Sequence, residues 1–407
     1  MIKTTNYDLY GLDFSRHSYE IFEHIRRETP VFQQPGYDGH TPIWFVTRFE
    51  DVEAMLKDDQ HFVLDYRLAL DPDQIPPRLL EGPDVLEKVN NHLLTKDGED
   101  HRRLRSLVTQ AFTPRRISNM RPRIQAIADA LLDRVKDQHQ MDLVDAYAFP
   151  LPITVIAELL GIPSQDRNRF RTWSDIFVRP AITQEQQAQF MQMAVEFVAY
   201  LQALFMDRKQ NPQDDLISAL LQAEEAGDRL TTEELFSMVV LLIVAGHETT
   251  VSLLGNASVA IMTHPETRQR LIKYPEQMAQ AIEEFLRYDP PVERAITRIV
   301  AADVELAGHL FKRGDLVIAI LGSANRDEDH FTNAGTLDID RDNRSHIAFG
   351  RGVHYCLGAP LARLEAEIAL NTLFQKLPGI ELAVPQAELE YRIVPLFHAY
   401  THIPVRW

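Results

Sequence analysis

Cys356 is the only cysteine among 407 residues, and it stands in the segment HIAFGRGVHYCLGAPLAR at 346–363. A thiolate can serve as a nucleophile, a redox centre or a metal ligand, and a lone cysteine can also be a core residue. Phe349, Gly352 and Gly358 complete the pattern F-x-x-G-x-x-x-C-x-G, which leads directly into a strongly periodic helix. Glycines permit a tight turn and close approach to a flat group, and amides at a helix start favour the thiolate.

This segment lacks the several cysteine or histidine ligands at fixed spacing that a zinc site needs. A cofactor that takes a single protein thiolate, such as haem, suits the segment better. His354 lies two residues before Cys356. A hydrolase with Cys356 as nucleophile and His354 as base is therefore the competing hypothesis from a different class.

A second group of candidate residues interrupts a long apolar helix. Thr231 and Glu234 predict a capping box at its start, and the helix should be roughly 45 Å long at ~1.5 Å per residue. Its middle carries AGHETT at 245–250. An unpaired buried carboxylate is costly, and a glycine inside a helix costs about 1 kcal/mol against alanine. A structural alternative places Glu248 on an exposed face and Gly246 at a helix crossing.

Further charged residues carry little evidence singly. Glu284 and Arg287 in EEFLR are spaced to pair on one helix face, as many surface pairs are. Basic groups that converge on one point suit carboxylates or phosphates, whereas each one alone is better explained as a solvated surface charge. The candidates for such a group are His101, Arg105, Arg298 and His354.

The elements that must position these residues are mostly helices. Apolar spacing of i, i+3, i+4 predicts helices over about 97–290 and 358–377, and alternating patterns predict a β-rich part over about 31–50, 292–322 and 380–406. We expect one large domain over residues 1–407. The net charge of −17 argues against a nucleic-acid surface.

The location is expected to be cytoplasmic. A single cysteine can form no disulfide within the chain, and the N-terminus has no apolar signal-peptide segment. The longest apolar run, MVVLLIVAG at 238–246, is far shorter than the ~20 residues of a membrane span.

In this order, and over essentially the whole chain, these motifs resemble the soluble bacterial cytochromes P-450. FGRGVHYCLG is similar to the family's haem-thiolate loop, AGHETT to its oxygen-activating segment, and EEFLR to its E-x-x-R helix. EDHRRLRSLVTQAFTP resembles the helix whose histidine and arginine contact haem propionates, and ANRDEDHF at 324–331 also fits. TNAGTLDIDR departs from the pattern, with Ala334 and Leu337 where a proline and an aromatic are usual, but Arg341 stands where a partner of Glu284 and Arg287 is expected.

The resemblance implies a mainly α fold with a small β-region, in which haem b lies between the long central helix and the helix after the cysteine loop. Cys356 would be the axial iron ligand, and Glu248 and Thr249 would deliver protons to the reacting oxygen. The implied haem-binding residues are His101, Arg105, Ala245, Arg298, Phe349, His354, Cys356 and Gly358.

The implied reaction is insertion of one oxygen atom of O2 into a lipophilic small molecule. The chain has no G-x-G-x-x-G nucleotide fingerprint, so we expect a separate electron donor, a ferredoxin or flavodoxin with its reductase. A peroxide-driven peroxygenase is a further alternative. Substrate contacts are expected from the loop 62–96, the segment 178–190, and the positions Leu241, Val244, Ala245, Val292, Ala295, Ile296, Leu396 and Phe397.

Overall fold

A computed structural model describes residues 7, 9–75, 91–167, 169–170, 172–173, 184–223, 227–342, 345–392, 394 and 396–407. Most of these residues are helical, which confirms the predicted mainly α class. The helices are Leu12–Glu28, Phe49–Lys57, Tyr66–Ala69, Gly98–Ala111, Pro114–Asn119, Arg121–Asp133, Pro150–Leu160, Gln184–Gln210, Leu216–Gln222, Thr232–Thr263, Pro265–Lys273, Met278–Tyr288, Leu321–Ala324 and Ala359–Lys376.

The strands are short, and most lie near the two ends of the chain. In chain order, β1 to β10 are Val31–Pro35, Pro42–Val46, Phe62–Val63, Gln140–Asp142, Arg298–Val300, Val304–Leu306, His309–Phe311, Leu316–Ala319, Glu381–Leu382 and Pro404–Arg406. They form a five-stranded sheet in the order β1-β2-β8-β5-β3, a three-stranded sheet β4-β10-β9 and the hairpin β6-β7.

The chain divides into two compact units. The first, which we call the sheet unit, comprises Met1–Ile75, Leu132–Ala148 and Thr249–Trp407, and the second, the helical unit, comprises Pro76–Leu131 and Phe149–Glu248. The predicted single domain over residues 1–407 stays a prediction.

The sheet unit contains all ten strands. In the five-stranded sheet β2 pairs parallel with β8, and the other pairs are antiparallel. A buried apolar cluster packs this sheet against the helix Phe49–Lys57 and reaches Ile347, two residues before Phe349. The cysteine loop therefore starts from a fixed point in this core.

The helical unit is held by caps and ion pairs as well as by apolar packing. The carboxylate of Asp215 caps the helix Leu216–Gln222 by accepting from the Ser218 amide at 2.7 Å, and it also accepts from Arg208 Nε at 2.6 Å. Arg208 donates further to the carbonyl of Gly161, whose φ of +82° ends the helix Pro150–Leu160.

The central helix is Thr232–Thr263, and the predicted capping box is present. The Thr231 hydroxyl accepts from the Glu234 amide at 3.1 Å, and the Glu234 carboxylate accepts from the Thr231 amide at 2.9 Å. Among the described residues this is the one helix long and apolar enough to cross a membrane, with a mean hydropathy of 1.7, and 72% of that window is buried inside the protein. Such burial is expected for the core helix of a large domain.

Several sequence predictions differ from the structure at their edges. Strand β4 lies within the predicted helical part, because its partner β10 comes from the far end of the chain. The predicted loop 62–96 contains strand β3 and a short helix, Tyr66–Ala69, and its residues 76–90 lie outside the described residues.

Candidate active site

Tight local hydrogen bonds shape the cysteine loop, Phe349–Gly358. The Cys356 amide donates to the Phe349 carbonyl at 3.0 Å, and the Tyr355 amide donates to the Gly352 carbonyl at 3.1 Å. Gly352 has a φ of +71°, and a Cβ there would lie 2.6 Å from the carbonyl oxygen of Leu56. Glycine is therefore required both by the left-handed backbone and by the close approach of another backbone segment.

The sulfur of Cys356 lies beside the start of the helix Ala359–Lys376. A Cβ added at the N-cap, Gly358, would lie 3.9 Å from Sγ. The Cys356 side chain is half-buried. Amides at a helix N-terminus stabilise an anion, so this position favours the thiolate as a ligand.

The sequence analysis did not predict an ion-pair network that contacts the cysteine loop at Phe349. Arg363 donates through Nε and Nη2 to the two carboxylate oxygens of Glu283, at 2.6 and 2.8 Å, and its guanidinium lies 4.5 Å from the Phe349 ring centroid. His346 also contacts Glu283, at 3.0 Å. Burial raises the pKa of Glu283, but the hydrogen bonds from Arg363 and His346 outweigh it and hold that pKa at about 2. The available signal was an acidic residue directly before Glu284.

The pair Glu284 and Arg287 is fully buried, so the surface ion-pair explanation is wrong. Both side chains are 0% exposed, and two bonds of 2.7 and 2.8 Å join them. Arg341 Nε lies 3.4 Å from the same carboxylate, as the sequence predicted. Arg287 also donates to the carbonyl oxygens of Asn325, Ala334 and Thr336. The atypical Ala334 is accommodated because Arg287 binds the backbone carbonyls of this stretch, which any residue type supplies.

Arg298 and His354, two of the predicted cations, both belong to the sheet unit. Arg298 begins β5 and is 4% exposed, and its Nη1 donates to the carbonyls of Met55 and Phe62 at 3.2 and 3.1 Å. His354 ends the 3-10 turn Gly352–His354 inside the cysteine loop and is half-buried. Because Arg298 is buried, the explanation of it as a solvated surface charge is wrong.

The sheet unit also brings together predicted substrate-contact positions that are a hundred residues apart in sequence. Val292 forms an antiparallel bridge with Phe397, and the Glu293 amide donates to the Leu396 carbonyl at 3.1 Å. Ala295 follows on the same segment and donates its amide to Ala319 at 2.8 Å. Ile296, which comes next, is 41% exposed.

In the helical unit, His101 and Arg105 are one turn apart on the helix Gly98–Ala111. His101 is buried, with 2% exposure, and Arg105 is half-buried. The helix begins directly after Asp97, and the His101 amide donates to the Asp97 carbonyl at 3.3 Å. The spacing of four residues places His101 and Arg105 on one face of this helix.

One face of the central helix is open although its surroundings are buried. Leu241 and Thr249 are half-buried and Ala245 is exposed, at positions i, i+4 and i+8 of the same face. Val244, beside this face, is also half-buried. Glu248 is only 2% exposed, so the alternative of a carboxylate on an exposed face is wrong.

The neighbours of Glu248 on the helix have different environments. His247 is buried against Phe149, with its Nε2 3.3 Å from the Phe149 carbonyl and the two rings in an edge contact. A Cβ added at Gly246 would meet only Ile156 Cδ1, at 4.0 Å. No close helix crossing among the described residues therefore explains the glycine.

The chemistry of these side chains fits haem and does not fit a conventional metal centre. Haem offers an iron that takes one thiolate, a flat apolar ring and two carboxylates, which match a lone cysteine, a glycine-rich loop and several cations. In the described part of the chain, the only cluster of three histidine, cysteine or acidic ligands is Asp142, Asp145 and His402, which does not include Cys356.

Comparisons with known proteins agree with this chemistry. A family model described as Cytochrome P450 matches residues 153–378. The chain is 41% identical over 399 residues to the polyketide biosynthesis cytochrome P450 PksS of Bacillus subtilis, with 97% of each chain covered. It is 38% identical over 400 residues to the cytochrome P450 monooxygenase PikC of Streptomyces venezuelae, covering 98% of this chain and 92% of that one. The crystal structure of the myxobacterial cytochrome P450 CYP267B1 in complex with myristic acid matches with a TM-score of 0.90 and 41% identity over 98% of each chain.

The hypotheses of a cysteine-nucleophile hydrolase and of a peroxide-driven peroxygenase are not favoured by these relatives. The coverage is nearly complete at about two-fifths identity, and the mainly helical fold agrees with the solved structures. The chain belongs to the cytochrome P450 family and is a haem-dependent monooxygenase.

Proposed function

We propose that Cys356 is the axial thiolate ligand of haem b in an enzyme that oxidises lipophilic small molecules with electrons from a ferredoxin or flavodoxin. The observation that carries this proposal is the cysteine loop. Its only thiol lies beside a helix N-terminus, and its turn requires glycine at Gly352. When bound, a haem with a thiolate ligand supplies the chemistry of oxygen activation, because the anionic sulfur donates electron density to the iron.

The proposed haem-binding residues comprise four cations and three residues that would contact the flat ring. We propose that His101, Arg105, Arg298 and His354 bind the two propionates, and that Ala245, Phe349 and Gly358 contact the ring. The burial of His101 and Arg298 supports this role, because a buried cation gains most from a carboxylate partner.

Proton delivery is assigned to Glu248 and Thr249. Thr249 would hydrogen-bond the reacting oxygen from the open face of the central helix, and the buried Glu248 would pass protons from solvent. The test is Thr249→Ala, with Thr250→Ala as a matched control one position along. We expect Thr249→Ala to keep haem and substrate binding but to divert electrons to hydrogen peroxide. Normal coupling of electron consumption to product in that variant would refute the role.

The proposed substrate-contact residues indicate the substrate class, which is lipophilic. They lie on the central helix and on the paired segments near residues 292–296 and 396–397. All are apolar: Leu241, Val244, Val292, Ala295, Ile296, Leu396 and Phe397. Residues 178–183 of the predicted segment 178–190 lie outside the described residues. Because one relative is named for polyketide biosynthesis and one solved relative holds myristic acid, a panel of macrolides and fatty acids is the first choice. Titration followed by the haem spin-state change should identify binders, and a panel without any binder would contradict this class.

The electron donor should dock through exposed arginines of the helical unit. Arg102 and Arg115 are exposed, whereas Arg103 is paired with Asp228 and Glu234. We expect the double variant Arg102→Glu and Arg115→Glu to slow reduction by an acidic ferredoxin at low salt. Arg134→Glu is the control for the change of charge at an exposed position. Equal rates in all variants would contradict this docking surface. A cytoplasmic location is part of the same proposal, since these donors act there and the central helix is buried.

A further inference from the structure

Three charged residues belong to the paired segments 292–296 and 396–398, which carry five of the proposed substrate contacts, and a fourth precedes the first segment by three residues. These four residues, here called the buried quartet, are Asp289, Glu293, Arg294 and His398. Glu293, Arg294 and His398 are at most 5% exposed. His398 Nδ1 lies 2.7 Å from Asp289 Oδ1, and Arg294 Nε lies 3.4 Å from Glu293 Oε1.

The other side-chain hydrogen bonds that the quartet forms within the described part of the chain go to the N-terminal segment, residues 9–19. Arg294 Nη2 donates to the carbonyl oxygen of Leu9, and His398 Nε2 lies 3.1 Å from that of Ser15. The Tyr19 hydroxyl donates to Asp289 Oδ1 at 2.7 Å. The Arg294 guanidinium also lies 5.0 and 5.1 Å from two ring centroids of the segment, those of Tyr10 and Phe14.

The quartet is joined to the substrate-contact segments through their backbones. Glu293 and Arg294 donate their amides to Leu396, and His398 donates its amide to Pro291 at 3.0 Å. Asn256 of the central helix fixes the same place by donating to the His398 carbonyl at 2.8 Å. A displacement of the N-terminal segment would leave buried charges without partners, which is strongly unfavourable. The position of the N-terminal segment and the positions of the paired segments 292–296 and 396–398 are therefore coupled.

The charge on His398 strengthens this coupling. Burial lowers its pKa, but Asp289 and Glu293 outweigh burial and raise that pKa to about 9. The groups that face the ring are these two carboxylates, the Ser15 carbonyl, and the rings of Tyr19 and Tyr391. His398 is thus a cation at neutral pH and binds the segment through a charge-assisted hydrogen bond.

We propose that the N-terminal segment influences substrate selectivity without contacting the substrate, because it holds the paired segments 292–296 and 396–398 in place through the buried quartet. Tyr19 and His398 are then positioning residues for substrate binding. This inference rests on the proposed function, because it takes residues of the two paired segments as substrate contacts. Neither residue needs to touch the substrate.

The test compares Tyr19→Phe and His398→Gln with wild type, and uses Tyr7→Phe as the control. Tyr7 loses the same hydroxyl in that control, but its ring packs on His24 and Phe32 and not on the quartet. Amide hydrogen exchange at Glu293, Arg294 and His398 should become about tenfold faster in Tyr19→Phe, since a hydrogen bond to a charged group is lost. It should stay unchanged in the control.

A binding measurement then tests selectivity with two probes that ligate haem iron, imidazole and the bulkier 4-phenylimidazole. We expect the ratio of their dissociation constants to change by about threefold or more in Tyr19→Phe, with imidazole affinity unchanged. Unchanged exchange and an unchanged ratio in Tyr19→Phe, or an equal effect of Tyr7→Phe, would overturn the inference. If His398→Gln does not fold, Tyr19→Phe decides alone. If wild type fails to bind imidazole, the proposed function fails. The exchange measurement still decides whether the N-terminal segment holds the paired segments in place.

Discussion

Replacement of Gly352 by alanine should damage the cysteine loop more than the same change at Gly350. Both glycines have left-handed backbones, with φ of +71° and +72°. A Cβ at Gly352 would lie 2.6 Å from the Leu56 carbonyl oxygen and 3.2 Å from Lys57 Cα, whereas a Cβ at Gly350 would be 3.9 Å from its nearest neighbour. The two positions therefore separate backbone strain from steric overlap within one loop.

The structure gives a magnitude for each variant. The left-handed conformation costs an alanine about 1–2 kcal/mol at either position. The overlap at Gly352 involves backbone, which cannot rotate away, so a further ~1–3 kcal/mol is expected there alone. Gly350→Ala should thus lose only the first amount of unfolding free energy, and Gly352→Ala should lose both.

Urea unfolding measures the two losses, and the carbon monoxide spectrum of the reduced protein measures the effect on the sulfur. Because Gly352 lies four residues before Cys356, a displaced turn should also reduce the share of protein with the strongly red-shifted band of thiolate-ligated haem. Equal stability and equal spectra for the two variants would refute the close contact with Leu56.

Three other variants test the surroundings of the site. Glu284→Gln should cost about 3–5 kcal/mol of unfolding free energy, because it leaves the fully buried Arg287 guanidinium uncompensated, whereas Asp340→Asn at an exposed ion pair should change little. Arg363→Lys keeps the charge but loses the two-point hydrogen bond, and should cost about 1–2 kcal/mol with an accompanying loss of the red-shifted band. Burial raises the pKa of Glu365 well above its usual value, so the folded protein keeps a proton that the unfolded chain releases above pH 4.5. Stability should therefore fall as pH rises above 4.5, and Glu365→Gln should remove this slope and stabilise the protein at neutral pH. No pH difference between Glu365→Gln and wild type in urea unfolding would contradict a neutral carboxyl.

The parts of the site that lie close together in sequence could be predicted from the sequence. The cysteine loop and the capping box each lie within about ten residues, so their glycines, caps and spacing carry the signal. Arg341 was also placed correctly beside Glu284, although 57 residues separate them, because the resemblance to the cytochromes P-450 implied that partner. The geometry around Glu284 and Arg287 is kept although Ala334 and Leu337 depart from the family pattern. The reason is that backbone carbonyls, which any residue supplies, accept the hydrogen bonds of Arg287.

The parts that depend on distant pairs could not be predicted in this way. Arg363 and Glu283 are 80 residues apart, and His398 and Ser15 are 383 apart. The second contact uses only a backbone carbonyl on the N-terminal side, so no residue type there marks it. Strand β4 is three residues long and is a strand only because β10 pairs with it. Short strands of this kind have no periodicity of their own to detect.

The most direct test of the central claim is the carbon monoxide difference spectrum of the reduced wild-type protein and of Cys356→Ser. The wild type should show the strongly red-shifted band that thiolate-ligated haem gives, and the serine variant should lose it even where haem is retained. A serine variant with the same band as wild type, or a wild type that binds no haem, would contradict ligation by Cys356.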